Sequence, residues 1–494
     1  MAKYILTRIL KAIISVFIVV SLVVVIVFTL VPETRSFVGD QGYQKMKGNA
    51  KIVYYYSKLE TLGYLDYVAA NEITSGSAVA DQFPEGEKPS FEQVKEALES
   101  DGYTVQTLTA ADGLQGSTIA YRYYNPIELV ANFYKRLVVI DTKNYIQDPN
   151  NPDLERGYHF ELDYNGLPAL VGSGTLHKYM IYMDSNFPFL HQNFITFDFG
   201  ESFPTHQGVS TLDVISEGQG NLKNIEQTFP TGVTLASPID QHTLKYKYEP
   251  DHLDAQRFPD HYADAKLRYD SFSMIGTSYF FGIASLLLQY AIALPFAVAM
   301  ARRQGAFVDK IGIAYINLLI SVPSLAFIFF MKYIGFAFGL PDRFPHLGFG
   351  DPRSYIMPII VLALMGTPSL MMWVRRFMVD QSTADYVKFA RAKGLTSKEI
   401  SRKHILKNAI IPIVNGIPGS MILAISGAVI TESIFSIPGM GKMLPDAIKA
   451  GNNNMVITLT FIFTALAIFA VLLGDLLMTW VDPRISLAAK KGGR

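Results

Sequence analysis

The chain has no cysteine among its 494 residues, which excludes a disulfide framework and a thiolate metal site. It also has no Gly-x-x-x-x-Gly-Lys-Ser/Thr phosphate loop. The nearest stretch, Gly439-Met-Gly-Lys-Met443, lacks both the spacing and the hydroxyl that would hold magnesium, so ATP hydrolysis by this chain alone is not expected. No His-Glu-x-x-His pair and no Gly-x-Ser-x-Gly elbow occur, and the 9 histidines are scattered. Metal-assisted and nucleophilic catalysis therefore have no support. Basic residues gather in short loops without a nucleic-acid motif, and a nucleic-acid partner is not expected either.

What the chain has in quantity is apolar sequence, 50% of all residues. Six stretches are long and apolar enough to cross a hydrocarbon core that needs about 20 helical residues: 9–31, 272–300, 311–338, 355–377, 410–430 and 456–480. The formal net charge of +0 hides an asymmetry: between Glu33 and Asp270 there are about 33 acidic and about 19 basic residues, so the remainder is strongly basic. Lys3, Arg8 and Lys11 before the first span, Arg302, Arg303 and Lys310 between the second and third, and Arg484, Lys490, Lys491 and Arg494 in the tail all place their segments in the cytoplasm. The first apolar run exceeds a signal h-region, and Val31-Pro32-Glu33 offers no small-residue cleavage site, so it reads as a retained anchor. The expected order is a first span in 1–32, an extracellular region in 33–271, a five-helix membrane core in 272–482 and a cytoplasmic tail in 483–494. Lys332 and Glu432 fall near outer ends of spans, where snorkelling to the interface is the expectation. Asp475 lies deeper and is expected to turn toward protein or water.

The 33–271 region carries mixed helix and strand signals, which predict a folded α+β domain. Ser90-Phe-Glu-Gln93 reads as a capping box opening a helix toward Leu98, and 126–139 has apolar residues at helical spacing. The Tyr-rich runs 118–124 and 158–164 read as strands, and Gln147-Asp-Pro-Asn-Asn-Pro152 and Asp163-Tyr-Asn-Gly166 as turns. Aromatic residues at strand spacing are expected in the core, and the acidic surplus on a solvated surface.

Between the fourth and fifth spans, residues 375–407 hold about 9 Lys/Arg against about 3 Asp/Glu, which predicts a cytoplasmic loop. Tyr386, Phe389, Ala390 and Lys393 recur at helical spacing, and Gly394 is the residue type that ends a helix in the left-handed conformation. Thr396 followed by Glu399 forms a second capping box. Two short helices are therefore expected to meet at a tight corner.

Ala390-Arg-Ala-Lys-Gly-Leu395 with the downstream Pro412 resembles the EAA loop of oligopeptide and dipeptide ABC importer permeases. Lys388 and Phe389 stand where the general pattern has its Glu and first Ala, a departure typical of the peptide branch. Tyr4-Ile-Leu-Thr-Arg8, Leu30-Val-Pro32, Ser321-Val-Pro-Ser324, Ile430 to Gly441 and Asp482-Pro-Arg-Ile485 resemble further family motifs in the same order. The Asp198-Phe-Gly-Glu-Ser202 stretch resembles the segment before the second span. These features are similar to the B-type subunit, and the large insertion to the streptococcal Ami-type branch. The resemblance implies a six-helix, all-α type I ABC importer permease fold with an inserted extracellular domain. It implies a coupling loop over 380–409, with Tyr386, Ala390, Arg391, Lys393, Gly394, Leu395, Thr396 and Glu399 facing an ATPase. The implied partners are a C-type permease subunit, two cytoplasmic ATPase subunits that bind ATP and Mg, a lipid-anchored peptide-binding protein, an oligopeptide substrate and membrane lipid. No cofactor is implied for this chain.

Peptide backbones cross a bilayer only along a protein-walled path, because each unsatisfied N–H or C=O costs several kcal/mol in hydrocarbon. Gln289, Asn317, Ser321, Ser324, Thr367, Asn415 and Ser420 are candidate lining residues, and ordinary helix packing is the competing account. A proton-coupled secondary peptide transporter is the alternative function. It needs an intramembrane relay, for which only Asp475 is available.

Overall fold

The computed structural model describes residues 2–84, 88–108, 117–163, 165–184, 189–425 and 429–481. Four helices are long and apolar enough to cross a membrane: Leu6–Leu30, Met274–Arg302, Arg353–Ser382 and Asn453–Leu477. Two further candidates are bent pairs, Phe307–Ser321 with Ser324–Ala337 at 107°, and Ser397–Ala409 with Ile411–Ile422 at 51°.

The expected third span, 311–338, is thus not one helix. Pro323 has no N–H to donate and its ring pushes the preceding residue out of the helical region. Val322 accordingly has ψ 127°, and the chain turns sharply before Ser324. The first arm has 15 residues, about 22 Å at 1.5 Å per residue, which falls short of a ~30 Å hydrocarbon core. The fifth expected span, 410–430, is helical over Ile411–Ile425 and again over Val429–Phe435, and its residues 426–428 lie outside the described residues. So do the closing motif at 482–485 and the tail at 483–494.

Packing between the membrane helices depends on small residues that let backbones approach. A Cβ on Gly312 would stand 2.3 Å from Met300 Sδ, and one on Gly366 2.2 Å from Gln289 Oε1. Ala293, Ala297 and Met300 of Met274–Arg302 pack with Met371, Val374 and Met378 of Arg353–Ser382 in one buried cluster.

The 33–271 region contains helices and antiparallel strands. Thr118–Tyr123 is the centre of a three-stranded sheet with Leu65–Val68 and Thr104–Thr107 at its sides. Gly157–Leu162, Pro168–Ser173, Tyr179–Met183 and Leu190–Gln192 form a four-stranded meander. The predicted capping box at Ser90 is present, and the structure adds another at Asn125, before the helix expected from 126. Ser90 Oγ accepts from Gln93 N at 3.4 Å, and Asn125 Oδ1 from Ile127 N and Glu128 N at 3.0 Å each. Tyr179, Tyr182, Tyr246 and Tyr262 are core residues, as aromatic residues in strands usually are. The 157–162 strand departs from that expectation: Phe160 is 86% and Leu162 63% exposed. On the same face only Tyr158, at the start of the strand, has a described ring partner, Phe194 at 5.7 Å.

Pro126–Leu137 joins this region to the membrane helices. Its Leu129, Phe133 and Leu137, at four-residue spacing, are buried with Val20, Val24 and Val27 of the first helix and with Ile457 of the last. Each such side chain contributes about 1.5–3 kcal/mol by leaving water. Tyr134 stacks on Phe17 at 4.7 Å and donates its hydroxyl to Phe17 O at 3.0 Å.

Candidate coupling corner and membrane path

Asp385–Ala392 is an eight-residue helix. Gly394 follows it at φ 80°, Gly394 N donates to Arg391 O at 3.0 Å and Leu395 N to Ala390 O at 3.2 Å. That pair of bonds is a Schellman closure, which satisfies the last carbonyls and turns the chain through a left-handed residue. Thr396 then opens the next helix: its backbone N donates to Glu399 Oε2 at 3.0 Å, and its Oγ1 accepts from Glu399 N at 3.3 Å. Past this box the helix widens into a π segment over Ile400–Ile405.

One face of the corner is anchored in the protein. Val387, Ala390, Ile400 and Ile405 are buried in the cluster formed by Met274–Arg302 and Arg353–Ser382, with Tyr386 and Leu395 packed against it. Tyr386 also donates to Gln381 Oε1 at 2.8 Å. The other face is open: Arg391, Lys393, Gly394 and Thr396 are exposed, and Phe389 is 70% exposed. An exposed aromatic ring beside cations has the chemistry of an interface anchor. Phe389 was not among the candidate coupling residues, although its place on the helix was legible, since only its exposure distinguishes it from a core residue.

Beside the corner, Asp309 and Arg375 form a two-point ion pair, with Nε to Oδ1 at 2.6 Å and the second arm to Oδ2 at 2.8 Å. Asp309 Oδ2 also accepts from Gly305 N at 2.8 Å. The pair ties the turn after Met274–Arg302 to the helix that leads into the corner.

The candidate path residues separate into two groups. Gln289 donates to Gly366 O at 3.0 Å, and Thr367 is fully buried, bonded to Tyr315 at 2.6 Å. Asn415 lies against Gly474 of the last helix, and Ser420 Oγ donates to Gly416 O at 3.1 Å. Gln289, Thr367 and Asn415 thus meet neighbouring helices, while the Ser420 bond stays within its own helix. Asn317, Ser321 and Ser324 are exposed along the broken pair.

Two membrane carboxylates are tied into the protein. Glu432 does not snorkel; it is 3% exposed and accepts from Ser278 Oγ at 2.8 Å and Lys442 N at 2.9 Å. Ser278 Oγ in turn accepts from Met440 N at 2.8 Å. Lys332 likewise turns inward, donating to Ile434 O at 3.1 Å. Asp475 faces Arg8 of the first helix at 3.3 Å.

Three consecutive asparagines at the start of the last helix were missed in the sequence, where they look like turn chemistry. Asn452 Nδ2 donates to Ser202 Oγ at 2.8 Å and Thr205 Oγ1 at 2.9 Å, Asn453 Nδ2 to Tyr64, and Asn454 Nδ2 to Glu201 O at 3.0 Å. Ser36 Oγ adds a bond to Gly451 O at 2.6 Å. Together they clasp Glu201–Thr205, Tyr64 and Ser36 to the start of the last helix.

The family described as binding-protein-dependent transport system inner membrane component matches residues 293–487. The oligopeptide transport system permease protein AmiC of Streptococcus pneumoniae is 41% identical over 504 residues, covering 100% of both chains. The chain belongs to the ABC peptide permease family. A dipeptide transport system permease protein, DppB of Lactococcus lactis, is 34% identical over 208 residues, 42% of this permease and 67% of that one. An inward-facing MetNI methionine ABC transporter matches at a TM-score of 0.36 and 18% identity, over 42% of this permease and 94% of that chain. A likeness that weak carries no argument. The permease is a multi-pass membrane protein, as its family and its apolar helices require.

Proposed function

We propose that this permease is one half of the translocation pathway of an ATP-driven importer for oligopeptides. The observation that carries the reading is the full-length identity to an oligopeptide permease, which includes the 33–271 region as well as the membrane core. In this reading each bent pair is one span, which makes six, with both termini in the cytoplasm and 33–271 outside as a domain. A C-type permease completes the pathway and two cytoplasmic ATPases bind ATP and Mg. A lipid-anchored peptide-binding protein delivers substrate from outside.

The corner at Gly394 is where force would enter. Its exposed face, with Phe389, Arg391, Lys393 and Thr396, meets an ATPase. Its buried face rests on the two helices that carry Gln289 and Thr367, so displacement of the corner tilts both and alternates access. Asn317, Ser321 and Ser324 then face the partner permease across the path. The Asp475 side chain is paired with Arg8, which favours a structural role over a proton relay.

Affinity purification of the tagged chain from its membrane, followed by peptide uptake in reconstituted vesicles, tests the reading. Two ATPase subunits and a second permease are expected to copurify, with uptake dependent on ATP. Uptake that follows a proton gradient in preparations free of ATPases would replace the importer with a secondary transporter.

A further inference from the structure

Beside the corner lies a cavity of ≈ 550 Å³ that the proposed function does not use. Leu294 and Val298 of Met274–Arg302 form one wall, and Leu406 and Ile410 the other. Arg302, Lys398 and Arg402 stand around it, all three exposed. The carboxylate nearest them in the chain, Glu399, is engaged by Thr396. Ser401 lines the same cavity and is 6% exposed, yet its Oγ has no hydrogen-bond partner among the described residues. It sits on the π segment Ile400–Ile405, and such widened turns recur at functional sites.

We propose that this cavity binds an anionic phospholipid of the cytoplasmic leaflet. The volume falls in the range of small-molecule sites. The three cations suit a phosphate headgroup, and the apolar walls suit the chains that leave it. Inorganic phosphate would satisfy the cations and leave the walls wet; a neutral lipid would cover the walls and leave the cations without a counter-charge. Basic pockets between membrane helices on the cytoplasmic side are where anionic headgroups are held. The occupant would touch both Met274–Arg302 and the helix after the corner, so it would brace the coupling element. The leaflet rests on the topology proposed above, while binding itself does not depend on peptide import.

The test is native mass spectrometry of the purified full transporter after exchange from nanodiscs of phosphatidylglycerol or phosphatidylcholine. The wild type is expected to retain phosphatidylglycerol and not phosphatidylcholine. A triple variant, Arg302→Gln with Lys398→Gln and Arg402→Gln, is expected to lose at least about tenfold of the bound fraction. Val298→Phe, which fills the apolar wall and changes no charge, is expected to lose it as well; if the triple variant fails to assemble, this variant decides alone. Equal retention in wild type and Val298→Phe overturns the proposal, as does a structure of the complex with a partner subunit's chain in the cavity. Uptake plays no part in this readout, so loss of the importer reading and loss of the lipid site are separable.

Discussion

At Gly394 the chain occupies φ 80° with nothing within 4 Å of where a Cβ would stand. The demand for glycine there is therefore conformational and not steric. A side chain in the left-handed region costs about 1–2 kcal/mol, and more for a β-branched residue. Gly394→Val is expected to leave the chain inserted and to raise the number of ATP molecules hydrolysed per peptide imported, with Gly394→Ala milder; measured stoichiometry in vesicles checks this, and an unchanged ratio removes the coupling role. Asp40 presents a different residue-scale case. Burial pushes its carboxyl upward, but bonds from Tyr54 and from the backbone N–H groups of Tyr43 and Gly42 outweigh it and hold the group below its ordinary value. The Tyr54 hydroxyl, half-buried and facing that carboxylate, is pushed up to about 12. A carboxyl lowered in the folded state contributes stability that is complete above its unfolded pKa, about 3.9, and is lost as pH falls through the folded value. Thermal melts of the purified chain are expected to drop below pH ~4, with Asp40→Asn flattening that limb; identical slopes in both proteins would remove Asp40 as the cause.

Elements were legible in the sequence where their determinants are local. The boxes at Ser90 and Thr396, the helical pattern from 126 and the glycine stop at 394 depend on residues three or four apart, and each stands where its spacing placed it. Apolar runs gave the long helices to within a few residues. Hydropathy does not register a bend, however, so the break at Pro323 was concealed within a uniformly apolar stretch. Partners remote in the chain were equally hidden: Glu432 accepts a hydrogen bond from a serine 154 positions away, and Phe160 is exposed in a strand whose composition suggests core. The asparagine clasp belongs to this class, with bonds that span about 250 positions. Removing Asn452 takes away the donor that reaches the buried Ser202 Oγ, a hydrogen bond worth about 0.5–1.5 kcal/mol. Asn452→Ala is expected to speed hydrogen exchange over 199–205 in the intact complex while leaving 385–409 unchanged, and equal exchange at both sites in variant and wild type would show that the clasp does not hold the segment.

Across the whole molecule, acidic sequence is collected in 33–270 and basic sequence in the remainder, which orients the proposed topology. The absence of cysteine makes that orientation directly measurable. A single cysteine replacing Glu96, an exposed residue of the helix Phe91–Ser100 in the inserted region, is expected to react with an impermeant maleimide in intact cells. One replacing Lys393 is expected to react only after the membrane is opened, and the reverse pattern would invert the topology. The first and last helices pack together, and the inserted region is fastened to both, through Pro126–Leu137 on one and the three asparagines on the other. A tilt of that terminal pair during transport would carry the whole external module with it, like a flag on a mast. In the proposed topology, a binding protein docked on that module would then sense which way the gate beneath it is facing.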